Sequence, residues 1–189
     1  MSYQQFQATH PVEFQWINEN ALAFDFARSL NNSLVRYGSL TEKQIQAVRK
    51  CINAKADAKK RAETAQSVDV SAIQDAFNRA LSSGVKKPRL RLDTFTFSLA
   101  PLTGKNSGAL YVKEGEQYLG KVLAGKFLRV RDCDDSTEKR VIDCAVDPHN
   151  SAIAYGKKFG VCSACGLTLS REDSIARSMG AICAKRYGW

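Results

Sequence analysis

Three cysteines near the end of this chain limit what it can fold into more than any other feature. In Gly160–Trp189, a Cys162-x-x-Cys165-Gly166 turn is followed, after 17 intervening residues, by Cys183. Two thiolates on one tight turn, with a glycine that lets backbone amides face the sulfurs, have the shape of a zinc knuckle. A redox Cys-x-x-Cys would want a βαβ setting, which this segment lacks. The intervening LSREDSIARSMG is predicted as a short helix, with Ser170 as its cap, Glu172 and Asp173 in its first turn and Gly180 as its stop. A closed structural zinc site takes four ligands, and this stretch supplies three.

Cys133, Cys144, His149 and Cys51 are the candidates for the fourth position. The spacing predicts one helix from Ser136 or Thr137 to about Val146, and a second opening at Asp147-Pro148 and running to Gly156. If the two fold back antiparallel, Cys133 ahead of the first returns beside Cys162 beyond the second. Cys144 and His149 then lie a helix length away, ~15 Å for ten residues. That geometry favours the set Cys133, Cys162, Cys165 and Cys183, with a structural Zn²⁺ as the cofactor. Four thiolates need compensating charge, which Lys157, Lys158, Lys185 and Arg186 can supply.

The rest of the chain changes period once. Residues 11–36 read as helix from Pro11 through Phe14, Ile17, Ala21, Phe24, Ala27, Leu30 and Leu34, with Gly38 as a left-handed stop. Thr41-x-x-Gln44 has capping-box spacing, and Ile45, Val48, Ile52 and Ala56 continue as one apolar stripe. These two helices are expected to pair as an antiparallel hairpin packed by Trp16 and the phenylalanines. A third helix is predicted over 71–83, ended by Gly84. GVKKPRLR then reads as a basic hinge, dividing a helical region 1–84 from a region 89–189. Beyond it apolar residues alternate, and RLRLDTFTFSLA slips phase at Asp93-Thr94, which predicts a bulge or sharp bend. ALYVK, YLGKV and FLRVR are further strands, giving an antiparallel sheet of about four. TGKNSG lacks the first glycine and following helix of a Walker loop, so nucleotide hydrolysis is excluded. The expected class is α+β: a helical hairpin plus one helix, a small antiparallel sheet and a zinc-stabilised helical tail.

The net charge is +9, and residues 41–130, with 17 basic and 8 acidic side chains, hold all of that excess. Such a block favours polyanions, nucleic acid above all. The candidate contacts are Lys86, Lys87, Arg89 and Arg91 at the hinge, with Lys105, Lys113, Lys121, Lys126 and Arg129 on the sheet. Tyr111, Tyr118 and Phe127 are stacking candidates if they face outward. No apolar run reaches the ~18 residues of a membrane span, and the opening MSYQQFQATHPVEF has no basic-then-apolar leader. A reducing cytoplasm is therefore expected, with six cysteines as thiols or ligands rather than disulfides. Two histidines without an evident partner, and a metal filled by sulfur, argue against an enzyme.

The segment from Asp147 to Cys183 resembles the C-terminal part of a family of small phage and prophage proteins of uncharacterised function. Asp147, Pro148, Tyr155, Gly156, Gly160, Cys162, Cys165, Gly166, Leu169, Ser174, Ile175, Gly180 and Cys183 match its pattern. The family's usual Gly-Ile-Gly-Pro is replaced by Ser178-Met179-Gly180-Ala181, which alters the turn but keeps the thiol. The strands from near residue 101 onward are similar too, so the likeness covers about half the chain. It implies a phage setting, in the host cytoplasm, without assigning an activity. The expectation is an accessory nucleic-acid-binding protein of replication, transcription or host takeover. The rival is a protein-binding inhibitor or adaptor aimed at a host enzyme or defence factor.

Overall fold

The computed structural model describes residues 2–101 and 103–189. Contacts divide the chain into two units, Met1–Lys60 and Arg61–Trp189. The boundary expected ahead of Arg89 lies inside the second unit.

The first unit is helical: α1 (Tyr3–Thr9), α2 (Pro11–Asn20), α3 (Asp25–Tyr37) and α4 (Glu42–Glu63), whose last turn runs into the second unit. The helix expected over 11–36 is two helices. Asn20 turns its side chain back to the Trp16 carbonyl at 2.7 Å, and Arg28 takes the freed carbonyls of Ala21 and Leu22. Side-chain bonds of this kind compete with the helical ladder and end it. Gly38 closes α3 at φ 71°, and Thr41 and Gln44 form the expected reciprocal cap. Phe6, Ile17, Leu30, Leu34, Ile45 and Val48 make the core, with Phe14, Trp16 and Phe26 packed around it.

The second unit opens with α5 (Ser71–Ser82), then an antiparallel meander of β1 (Arg89–Leu92), β2 (Phe95–Leu99), β3 (Leu110–Glu114), β4 (Gln117–Leu123) and β5 (Lys126–Arg129). Asp93-Thr94 is a two-residue turn rather than a bulge, with Asp93 at φ 54°, so one expected strand is a hairpin. Period-two alternation sends Leu90, Leu92, Phe95, Phe97, Leu110 and Val112 to one face. There they share a core with Ile73, Phe77 and Ala80 of α5. This shared core is why α5 belongs with the sheet.

The tail continues as α6 (Asp135–Val146), α7 (Pro148–Phe159), α8 (Glu172–Ala176) and α9 (Ala181–Tyr187). Asp134 caps α6 through the Thr137 amide at 2.7 Å, and Asp147 caps α7. Gly156 sits inside α7, where a Cβ would lie 2.1 Å from Ser178 Oγ; the helix stops instead at Gly160, φ 67°. The chain is thus α+β, with its cysteine cluster in the C-terminal region.

Candidate metal centre and its basic flank

The knuckle is built by backbone bonds. Val161 bridges Thr168, the Cys162 amide donates to the Leu167 carbonyl at 2.8 Å, and the Gly166 amide donates to the Cys162 carbonyl at 2.9 Å. Gly166 has φ 83°, and a Cβ there would stand 3.2 Å from an Arg91 guanidinium nitrogen. Glycine meets both demands without strain. Cys183 enters from the first turn of α9, and the sulfurs of Cys162, Cys165 and Cys183 lie within 4.8 Å of one another.

This spacing fits a metal ion. Metal–sulfur bonds of ~2.3 Å in a tetrahedron put sulfurs ~3.8 Å apart, a small contraction of the cluster seen here. Burial works against ionisation of Cys162, but amides of Cys165, Gly180 and Ala164 facing it outweigh that and hold its pKa below the ordinary thiol value. Cys183 is pushed up to about 12 by burial, then by the negative charge of Cys162.

Three of the four expected ligands come together, and Cys133 does not join them. It sits at the corner between β5 and α6, where Arg129 Nη1 holds its carbonyl at 3.2 Å, and burial foremost raises its thiol to about 11. The antiparallel fold-back expected of α6 and α7 is not what forms. Arg129 pairs with Asp135 and Glu138 at the start of α6, while Arg140 pairs with Asp93 and Glu114. Helix α6 therefore crosses one end of the sheet, from β5 to the β1–β2 turn. Helix α7 then packs along β1 and delivers the knuckle to that edge. β1 and β5 are the two outer strands, ~19 Å apart along the sheet at ~4.8 Å per step. Of the other candidates, Cys144 bonds Ser151, His149 stacks on Trp189 at 5.0 Å, and Cys51 belongs to the first unit.

The basic residues sort into groups. Lys86, Lys87, Arg89 and Lys113 line one groove of about 670 Å³ with the hydroxyls of Thr96, Ser98 and Thr103. Strand register explains the grouping. Arg89 pairs with Ser98, and Arg91 with Thr96, which in turn pairs with Lys113. All five therefore lie on the face opposite the core. A second recess, lined by Lys87, Arg89 and Arg186, links this groove to Cys165 and Cys183.

Arg91 is committed to the Ala164 carbonyl at 3.0 Å, Arg129 to Asp135 and Glu138, and Lys121 to Asn106. Lys105 and Lys126 are exposed but outside the groove. Tyr118 is exposed and meets Tyr111 edge-on at 5.8 Å, whereas Phe127 is fully buried and is core. The groove hydroxyls were not singled out from the sequence. The alternation of TFTFS, with polar residues on the parity opposite the phenylalanines, was the available signal.

No family model, curated protein or solved structure matches this chain. Among the described residues no helix is long and apolar enough to cross a membrane.

Proposed function

We propose that this chain is a phage-encoded, nucleic-acid-binding accessory protein of the host cytoplasm, in which a zinc-held knuckle braces one edge of a basic sheet. The observation that carries the reading is the groove lined by Lys86, Lys87, Arg89 and Lys113. Four cations and three hydroxyls on one open surface suit a phosphate backbone, which cations neutralise and hydroxyls hydrogen-bond. Tyr118 extends the same face with an aromatic ring on which a base can stack. Zinc suits an all-sulfur donor set in a reducing compartment. The metal's part is structural: it fixes the knuckle that covers the backbone of β1.

The test is fluorescence anisotropy with labelled single- and double-stranded DNA and RNA across a salt series. Binding that weakens with salt, and is lost when Lys86, Lys87, Arg89 and Lys113 are reversed to Glu at unchanged metal content, supports the reading. No binding to any of these at ~50 mM salt, where phosphate contacts are strong, overturns it. The basic face would then be assigned to an acidic protein partner.

A further inference from the structure

A tetrahedral metal held by Cys162, Cys165 and Cys183 has one position left over. Among the described residues no fourth His, Cys, Asp or Glu joins the cluster. A groove of about 520 Å³ opens on all three cysteines, walled by Leu167, Leu169 and Ile182 and flanked by Arg171 and Arg186. Leu167 and Ile182 are 72% and 69% exposed beside the three cysteines.

We propose that the fourth position takes a thiolate from outside this chain, seated in this groove; the inference rests on reading the cluster as a metal site. Three features select a thiolate. A metal already bound by three soft sulfurs favours a fourth soft donor. The groove has apolar walls for the carbon stem of a thiol, and no carboxylate or imidazole lines it to activate a water. A divalent metal with four thiolates carries charge −2, and Arg91 against Gly166 with Arg186 in the groove supplies two opposing charges. The step is ligand exchange. The incoming thiol gives its S–H proton to solvent, its sulfur bonds the metal, a metal-bound water leaves, and no oxidation state changes. A low-molecular-weight thiol and a cysteine of a second copy share this chemistry.

Co²⁺-loaded full-length chain, prepared without thiols, tests it through the sulfur-to-cobalt charge-transfer band. Titration with 2-mercaptoethanol should raise that band saturably, by about one third as three Co–S bonds become four. Ile182→Glu, which sets a carboxylate in the groove wall, should keep Co²⁺ uptake but weaken thiol saturation by ~10-fold or more. Growth of the band with protein concentration, accompanied by earlier elution in size exclusion, assigns the donor to a second copy. Saturation at monomer size assigns it to a small thiol. A band indifferent to both thiol and protein concentration overturns the proposal while leaving the metal site standing. A chain that takes up no Co²⁺ overturns both.

Discussion

Arg91 donates from Nη1 to the carbonyl of Ala164 at 3.0 Å, tying a strand residue to the turn that carries Cys162 and Cys165. Its own backbone amide donates to the Ser163 carbonyl at 2.9 Å. One residue thus pairs the sheet's edge and clamps the knuckle. The edge strand is covered by the cysteine-bearing turn, which answers the hazard an open edge poses.

Replacing Arg91 by Ala should therefore act on the knuckle. The backbone bond survives, while the charge-assisted bond to Ala164 is lost, costing about 1–2 kcal/mol. Metal affinity should fall by roughly tenfold, as for other groups that orient ligands. Lys at this position should not rescue it, because its single ammonium cannot lie flat beneath Gly166 as the guanidinium does. Chelator competition on purified variants reads this, and an unchanged affinity for Arg91→Ala would remove Arg91 from the centre.

Metal content gives a direct check on the ligand set. Cys162→Ser, Cys165→Ser and Cys183→Ser should each lose bound zinc, while Cys133→Ser should retain about one ion per chain. Retention follows from the position of Cys133 at the β5–α6 corner, outside the cluster. Elemental analysis after dialysis against a weak chelator decides it. If Cys133→Ser empties the site, the placement of α6 across the sheet end is wrong.

The first unit holds a buried carboxylate whose pH response has a definite sign. Burial of Glu13 favours its neutral form, but the Arg49 Nε–H at 2.6 Å outweighs that, and its pKa lies below the ordinary carboxylate value. A depressed folded-state pKa means stability that is present above the unfolded value and is lost as pH falls through the folded one. Glu13→Gln should cost ~1 kcal/mol at neutral pH, a modest figure because Arg49 is half exposed. The difference from the parent should shrink between pH ~5 and ~3. Amide exchange of α2 and α4 in the full-length chain would show it. A difference that persists undiminished at pH ~3 would remove the ionised pair as its source.

What the sequence made legible depended on how locally each feature is determined. The Cys162–Gly166 turn, the cap at Thr41, the helix opening at Asp147-Pro148 and the stop at Gly38 are set by residues within four positions, and all could be read directly. Asp93-Thr94 showed a phase slip, but bulge and hairpin differ only in which neighbour each half pairs with, a non-local fact. The place of Cys133 depends on which sheet edge α6 starts from, and α6 has the same apolar stripe whether it lies beside α7 or across the strands. The core shared by α5 and the sheet is equally non-local, and GVKKPRLR looked like a boundary because its charge and proline mimic a linker.

The last prediction separates a shaped interface from simple positive charge. Lys113→Glu and Lys126→Glu change net charge equally, and both residues are exposed on strands, so neither should unfold the chain. Lys113 lies in the groove with Lys86, Lys87 and Arg89, whereas Lys126 starts β5 at the far edge. If phosphates follow the groove, Lys113→Glu should weaken nucleic-acid binding by ~10-fold or more. It should also flatten the log-affinity versus log-salt slope by about 0.9 on duplex DNA or about 0.7 on single strands. Lys126→Glu should cost only the weaker, screened effect of a distant charge, since salt at ~0.15 M shortens electrostatic reach to ~8 Å. Equal losses from the two variants would mean that nucleic acid responds to the net field alone, and the groove would lose its role.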